Sequence, residues 1–398
     1  MNIFRLSIST LFHKPANAIL SVLLFSIGIG IIIFLLQVQS VIDQRFYKNI
    51  SDIDMVVGAK GSPVQLILSS VFHADTPTGN IKLEEAEKLN RHPLVKTTIP
   101  LAFGDNFNGY RIVGTNEDYP KLYSASLEIG YWFDTSKEAT IGSDVAIKTG
   151  LQIGDEFTGI HGFMSQGHHH DEFKYTVVGI MKPTKTIIDE VILTPIQSVW
   201  DVHGGHECTD TCSHEHTEPD KEITALLVIY KNPMAAVQLP SFINQTTSMQ
   251  SAVPAFEMNR LMSMLGIGFD FLKILAWIIV IISAINILMH LLNTLNQNIY
   301  EIALLRVMGA SRIKSLLLLI YQGIILAFLG WIGGIVLSRL IWMMMSLFDL
   351  RGILNPPNFS ANEFLILLVV TIIGIFSAII PAVKAYSTNI HHILSSAQ

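Results

Sequence analysis

The sequence FLKILAWIIVIISAINILMHLL (residues 271–292), NTLNQNIYEIALLRVMGASRIKS (293–315) and LLLLIYQGIILAFLGWIGGIVLSRLIWMMMSL (316–347) consists of two apolar blocks separated by a polar connector. Each apolar block reaches the roughly 20 residues that a helix needs to span a bilayer. The connector carries three basic residues, Arg306, Arg312 and Lys314. The pattern predicts two membrane-spanning helices joined by a short basic segment.

Two further apolar blocks, residues 16–38 and 364–383, bring the predicted number of transmembrane helices to four. The block at 16–38 has no small-residue cleavage motif and is longer than the core of a signal peptide, which favours an uncleaved anchor over a removed signal. The chain is 50% hydrophobic and only 15% charged, with a mean hydropathy of +0.45. Soluble domains average about 25% charged residues. The composition therefore indicates a membrane protein.

The orientation follows from the basic residues, because cytoplasmic segments of membrane proteins carry an excess of Lys and Arg. Basic residues lie in the short segments 1–15 (Arg5, Lys14), 293–315 (Arg306, Arg312, Lys314) and 384–398 (Lys384). If the four helices alternate in direction, all three segments fall on one side, and that side is predicted to be the cytoplasm. Residues 39–262 and a short loop, 348–362, then lie on the opposite side.

The charge is divided unevenly between the two parts of the chain. Residues 39–262 hold 28 acidic and 17 basic residues, a net charge of −11, whereas the remainder carries +5. A total of −6 provides no basic surface for a polyanion, so nucleic acid is not an expected partner. At 398 residues the chain is long enough for two or three structural units.

The outer segment, residues 39–262, alternates short β-type runs with helical patterns, which is typical of a mixed α+β domain. Helical character at both of its ends predicts that the first two transmembrane helices continue outward as a stalk. The sequence contains no G-x-S-x-G, no H-E-x-x-H and no G-x-x-x-x-G-K-[ST] motif. We therefore predict a chain without catalytic residues and without a directly bound cofactor, which does not bind ATP itself.

Two histidine-rich loops, 161–172 and 201–220, interrupt the outer segment. Candidate metal ligands in the second loop are His203, His206, Cys208, Cys212, His214 and His216, and in the first loop His168, His169 and His170. Imidazole and thiolate bind zinc and suit other transition metals, so a Zn²⁺ or related site is one interpretation. A Cys208–Cys212 disulfide in an oxidising compartment is a second interpretation, and a pH-responsive loop is a third.

Charged residues at the edge of the apolar blocks have two interpretations, functional or merely interfacial. Asp270 and Lys273 are three positions apart and share a helix face, which predicts an interfacial pair with Lys273 reaching toward the headgroups. Arg339 lies near the outer end of its block, and we expect it to reach toward the surface in the same way.

The connector contains YEIALLRVMGASR (300–312), a short amphipathic helix ended by glycine. It resembles the cytoplasmic segment E-I-(A/G)-L-L-R-(A/V)-(L/M)-G-A-S of FtsX/MacB-type permeases of ABC transporters. Three further matches to that family are PAVKA (381–385) at the end of the last helix, GSDVA with GLQIGD (142–155) in the outer domain, and the strand VVGI (177–180). The order of one helix, a large outer domain and three helices also resembles the family.

The resemblance implies a type VII ABC permease, similar to MacB, LolC and LolE. Such permeases work as dimers, with a second copy or a paralogue, and with a separate MacB/LolD-like ATPase subunit that binds the ATP. The positions Glu301, Arg306 and Gly309 match the ATPase-docking helix. The expected mechanism is mechanotransmission from cytoplasmic ATP hydrolysis to the outer domain. The expected location is the bacterial inner membrane, with the large domain in the periplasm and membrane lipid around the helices.

The cargo is left open by these patterns. Besides a metal-linked permease, the alternatives are lipoprotein release or export of a hydrophobic compound with incidental histidines, and regulation of a cell-wall hydrolase. A periplasmic adaptor or substrate protein is a further expected partner.

Overall fold

The computed structural model describes residues 3–13, 15–160, 169–204, 221–309, 311–348 and 361–387. The chain divides into two compact units. The first unit, here called the membrane unit, comprises Met1–Ile42 and Met264–Gln398. The second, the outer unit, comprises Asp43–Ser263.

Within the described residues, four helices are long and apolar enough to span a membrane. The helices of the chain are α1 (Ile3–His13), α2 (Pro15–Ile50), α3 (Pro63–Ser70), α4 (Leu83–Asn90), α5 (Asp118–Leu122), α6 (Ser143–Thr149), α7 (Ile196–Gly204), α8 (Ala235–Thr246), α9 (Pro254–Gln297), α10 (Ile299–Val307), α11 (Arg312–Phe348) and α12 (Ala361–Ser387). The spanning helices are α2, α9, α11 and α12. The predicted class, four transmembrane helices with a mixed α+β outer domain, is confirmed.

Small residues allow the spanning helices to approach one another closely, as is common where membrane helices pack. A Cβ atom added to Gly374 of α12 would lie 2.6 Å from the Cβ of Ala327 and 2.8 Å from the carbonyl oxygen of Gly323, both on α11. On α2, a Cβ added to Gly30 would lie 3.1 Å from the carbonyl oxygen of Gly334 on α11. These glycines bring the backbones of α2, α11 and α12 together.

Two predictions concern charged residues near the membrane surface. The pair between Asp270 and Lys273 is confirmed, with Lys273 Nζ 3.3 Å from Asp270 Oδ1. For Arg339, the structure adds an ion-pair partner that the sequence did not indicate. Arg339 Nη2 lies 3.2 Å from Oε1 of Glu363, and this carboxylate on α12 supplies a counter-charge inside the helix bundle.

The outer unit is built on one large mixed sheet. The strands are β1 (Met55–Ala59), β2 (Ile81–Lys82), β3 (Val95–Phe107), β4 (Tyr110–Thr115), β5 (Leu127–Gly130), β6 (Glu138–Ile141), β7 (Glu156–Ile160), β8 (His169–Met181), β9 (Val191–Pro195), β10 (Glu222–Ile223), β11 (Ala225–Tyr230) and β12 (Met249–Ala252). The large sheet has the order β12-β1-β11-β3-β4-β9-β6-β8-β5, and β7 pairs with β3 and β8. Among these pairings, β4–β9 and β6–β8 are parallel. A small separate sheet joins β2 and β10.

Both faces of the large sheet are covered, as its sequence pattern requires. Met55 and Val57 of β1 pack into one apolar cluster, whereas Val56 between them packs into another. Neighbouring β11 repeats the alternation, with Leu226 and Val228 on the first face. Since successive side chains of a strand point to opposite faces, a run of consecutive apolar residues indicates a strand buried on both sides.

Candidate functional site

The connector between the second and third spanning helices folds as a short helix, α10. It ends at a turn in which the Gly309 amide donates to the carbonyl of Arg306 at 3.1 Å. Gly309 has a φ of +95°, a conformation that residues with a side chain rarely adopt. A Cβ added there would meet nothing within 4 Å, so the glycine is required by backbone conformation and not by space.

The connector presents apolar side chains on its surface. Leu304, Val307, Met308 and Ile313 are 46%, 61%, 74% and 61% exposed, while Ala303 is buried. Arg306 is half-buried and makes a polar interaction of its own. The backbone of Glu301 lies in α10, and its side chain is outside the described residues. Of the three predicted coupling positions, Arg306 and Gly309 therefore lie on a connector with an apolar exposed surface.

Neighbouring elements hold the ends of the spanning helices close to this connector. Lys384 Nζ at the end of α12 donates to Asn296 Oδ1 at the end of α9, at 3.2 Å. On α1, the Ser7 hydroxyl donates to the carbonyl of Leu318 on α11 at 3.1 Å. These contacts attach α12 and α1 to the two helices that the connector joins.

At its far end, α2 is hydrogen-bonded to a loop of the outer unit. Lys48 Nζ donates to the carbonyl of Thr184 at 2.6 Å, and Asn49 Oδ1 accepts from the Ile187 amide at 2.9 Å. The buried carboxylate of Asp189 holds the same loop by accepting from the amides of Thr184 and Lys185. We call Lys48, Asn49, Thr184, Ile187 and Asp189 the helix–sheet joint.

The start of α9 packs beside the end of α2 within the outer unit. The Tyr47 hydroxyl donates to Asn259 Oδ1 at 3.0 Å, and the Phe46 and Phe72 rings meet at 4.8 Å between centroids. Met258 of α9 is buried in the same cluster as Ile50. The sequence predicted helical continuations at both ends of the outer domain, but it gave no sign of the joint, since its residues are separated by more than 130 positions.

The predicted metal ligands lie mostly outside the described residues. Most lie in residues 161–168 and 205–220, and for the remaining ones, His169, His170 and His203, only the backbone is described. Among the described residues, no group of three or more His, Cys, Asp or Glu side chains could hold a metal ion. The metal site stays a prediction.

Described residues at or beside the ends of the two histidine-rich loops belong to one apolar cluster. Phe173 and Tyr175 of β8 belong to the same apolar cluster as Val202 of α7. Lys137 connects the two elements, because its ammonium lies 5.0 Å from the Phe173 ring centroid and its amide donates to Ser198 Oγ at 3.1 Å. Burial raises the pKa of Tyr175, and the charges of Asp105 and Asp201 raise it further.

Comparisons with known proteins match both units. The model of the MacB-like periplasmic core domain matches residues 18–238, and the model of the FtsX-like permease C-terminal domain matches residues 273–390. The comparison with curated proteins found no match.

Two solved structures are similar to part of the chain. The periplasmic region of MacB from Actinobacillus actinomycetemcomitans is 11% identical, with a TM-score of 0.35, and the match covers 55% of this chain and 98% of that one. The extracellular domain of the ABC-type transporter YknZ from Gram-positive bacteria is 12% identical, with a TM-score of 0.31 and coverage of 50% and 98%.

Proposed function

Because this chain belongs to the MacB-like and FtsX-like permeases of ABC transporters, we propose that it couples ATP hydrolysis by a separate ATPase subunit to a conformational change of its outer domain. Permeases of this family are membrane components of transporters and work with an ABC ATPase partner. The chain accordingly contributes transmembrane helices and a periplasmic-type domain to such a transporter, and ATP is bound by the partner.

The observation that carries the proposal is the exposed apolar surface of the connector, formed by Leu304, Val307, Met308 and Ile313. Large exposed apolar patches are uncommon on surfaces that face water, and such a patch is typical of a site that binds a protein partner. Arg306 and Gly309 lie on the same connector, and Gly309 fixes the turn at which α10 ends. In this proposal, the ATPase docks on the connector and pushes it when ATP binds.

The test is to purify the full chain together with the ATPase subunit that accompanies it. Arg306→Glu and Met308→Asp should each reduce ATPase co-purification and permease-stimulated hydrolysis at least fivefold, because they place negative charge in the contact. Glu84→Lys, on the exposed surface of the outer unit, is the matched control and should leave both unchanged. Wild-type levels in both connector variants would contradict the docking role.

The length of two spanning helices supports the proposed transmission of movement. Helices α2 and α9 each contain residues of the membrane unit and residues of the outer unit without a break. A continuous helix transmits displacement along its axis, and the helix–sheet joint attaches the end of α2 to the loop held by Asp189. We propose a dimer with a second copy or a paralogue, in the inner membrane of a Gram-negative cell, where a periplasmic adaptor or substrate protein meets the outer domain.

Two kinds of cargo or target are compatible with this mechanism, and each has its own test. Release of a lipoprotein or export of a hydrophobic compound would be supported by lipoprotein copurification or by drug-stimulated ATPase activity. Regulation of a cell-wall hydrolase would be supported by a pull-down that returns an amidase or an endopeptidase. Either result obtained with wild type and lost with Arg306→Glu would link that cargo to ATPase coupling.

A metal-linked role is a second candidate function. The observation that favours it is the proximity of Phe173, Tyr175 and Val202, because these residues adjoin the two histidine-rich loops in sequence. Two loops whose ends lie close together can contribute ligands to one metal ion. His and Cys side chains are the usual ligands of zinc. We propose that the two loops bind one transition-metal ion.

Zinc, copper and nickel titration of the full chain tests this role, with reduced and oxidised samples compared. Micromolar binding should disappear when residues 203–216 are replaced by Gly and Ser, and should weaken when His168, His169 and His170 are replaced by Ser. Binding lost only on oxidation would assign Cys208 and Cys212 to the site. No binding in either redox state would remove the metal from the function.

A further inference from the structure

All four spanning helices contribute polar side chains to a set near the outer end of the membrane unit, which consists of two hydrogen-bonded groups that both include α2. We call this set the outer polar belt. Its members are Gln37 and Gln39 of α2, Asp270 and Lys273 of α9, Trp331, Arg339 and Trp342 of α11, and Glu363 of α12. Polar side chains at membrane depth are costly and therefore call for a functional explanation.

The centre of the belt is the carboxylate of Glu363. Its Oε1 accepts from Gln37 Nε2 at 2.9 Å and from Arg339 Nη2 at 3.2 Å. The side chain of Glu363 is 3% exposed and that of Arg339 is 25% exposed. The carboxyl group of Glu363 therefore lies inside the protein, and one of its oxygens connects three helices.

Tryptophan side chains extend the connection. Trp342 Nε1 donates to Gln37 Oε1 at 2.7 Å, so both ends of the Gln37 amide are engaged. Trp331 Nε1 donates to the backbone carbonyl of Glu363 at 3.1 Å. Gln37 and Trp342 are both buried, and their mutual hydrogen bond replaces water that the surrounding apolar side chains exclude.

A second and weaker group of hydrogen bonds attaches α9 to α2. Gln39 is two positions after Gln37, which in a helix corresponds to a rotation of about 200°, so it points to a different neighbour. Its Oε1 accepts from Lys273 Nζ of α9 at 2.8 Å, and Lys273 also pairs with Asp270. Asp270 is 71% exposed, and exposed ion pairs contribute little.

The belt thus holds the helices unequally. Within the belt, α2, α11 and α12 share a buried network with an Arg–Glu pair, whereas the belt joins α9 to α2 through the partly exposed Lys273. Networks in which every bond depends on its neighbours have few alternative arrangements, because each lost bond leaves a buried polar group unpaired.

We propose that the outer polar belt makes the outer ends of α2, α11 and α12 move as one body in the ATPase cycle, so that displacement of the connector reaches the helix–sheet joint. Glu363 is the positioning residue of this device, and Arg339 and Gln37 are its partners. The inference rests on the proposed function, since it assumes that ATP hydrolysis moves the connector.

The experiment measures hydrogen exchange of residues 43–53 and 184–190 in the full chain, reconstituted in nanodiscs with its co-purified ATPase, with and without ATP. Glu363→Gln keeps the shape and most hydrogen bonds but removes the charge. We expect it to reduce the ATP-dependent change in exchange at least fivefold, while ATPase binding and basal hydrolysis stay within twofold of wild type. Lys273→Met, in the weaker group of hydrogen bonds, is the matched control and should reduce the ATP-dependent change in exchange less than twofold.

A double variant with the charges of Arg339 and Glu363 interchanged distinguishes a role of this ion pair in coupling from a general loss of folding. Arg339→Glu alone should abolish the ATP-dependent change, and the double variant Arg339→Glu/Glu363→Arg should recover part of it. A Glu363→Gln variant that retains the full ATP-dependent change would overturn the belt's role while leaving the proposed function intact. A wild-type complex that hydrolyses ATP without any change in exchange would overturn the proposed function, and the belt's role with it.

Discussion

His73 illustrates how burial sets the charge of one side chain in the outer unit. Its Nε2 lies 2.8 Å from the Tyr119 hydroxyl, and its ring packs edge-on against Phe103. Burial and, to a smaller extent, the charge of Arg111 together lower the pKa of His73 from 6.5 to about 3. His73 is therefore neutral in the folded outer unit at physiological pH.

This pKa shift predicts a pH dependence of stability. Because the folded pKa lies below the unfolded one, the unfolded chain binds the extra proton, and stability is lost as pH falls from 6.5 toward 3. Between pH 7 and pH 5 the loss attributable to His73 is about 2 kcal/mol, at about 1.4 kcal/mol per pH unit. Hydrogen exchange of the sheet amides, corrected for intrinsic rates, measures it.

His73→Asn is the informative variant for that measurement. The residue has a φ of +50°, which Asn tolerates better than most residues, and Asn does not titrate. The variant should be less stable at pH 7, because the Tyr119 contact changes, but its stability should fall less steeply on acidification. An equally steep fall would mean that other groups cause the acid sensitivity.

Asn49 gives a second prediction at the scale of one residue. Asn49→Leu removes the acceptor of the Ile187 amide in the helix–sheet joint. A lost hydrogen bond costs about 1 kcal/mol, so the Ile187 amide should exchange about five- to tenfold faster. Ser51→Ala, which removes an exposed hydroxyl next to the joint, is the control and should leave that amide unchanged.

At the scale of elements, the close approach of α11 and α12 depends on Gly374. Leucine at this position would collide with Ala327 and with the backbone of Gly323. Gly374→Leu should therefore lower the melting temperature of the full chain by several degrees. Gly268→Leu on α9, where an added Cβ meets nothing within 4 Å, is the matched control and should have little effect. Equal melting temperatures would show that the two helices can separate without cost.

The sequence predicted the spanning helices because their signal is local: a long apolar run indicates a membrane helix whatever its neighbours are. The same locality explains why the partner of Arg339 was not predicted. Its partner Glu363 lies 24 positions later on another helix, and nothing in a single sequence joins the two. Polar residues within or beside an apolar block indicate a functional or packing role, and Gln37 in the first block and Glu363 beside the fourth are such residues. Their hydrogen-bond partners became known only from the structure.

The sheet of the outer unit was predictable only in class. Runs such as β11 indicate strands buried on both faces, yet the order β1-β11-β3 places a strand from the end of the unit between two from its beginning. Strand order depends on pairings between distant segments, which periodicity does not encode. The helix–sheet joint was unpredictable for the same reason, since Asn49 and Ile187 meet only after the sheet has formed.

For the whole molecule, the division of charge was the clearest guide. An acidic outer segment and a basic remainder predicted two parts with different surroundings, and the chain does divide into a membrane unit and an outer unit. The family models match the two parts separately, at residues 18–238 and 273–390. The connector motif indicated the family. The described residues do not identify the cargo, which must be found by experiment.

We propose that the connector and the outer domain are coupled across the membrane. Hydrogen exchange of residues 43–53 in nanodiscs with the co-purified ATPase tests it, in wild type and in the double variant Arg306→Glu/Met308→Asp. We expect an ATP-dependent change in wild type that disappears in the variant, while exchange without ATP stays the same. An equal ATP-dependent change in both proteins would contradict it.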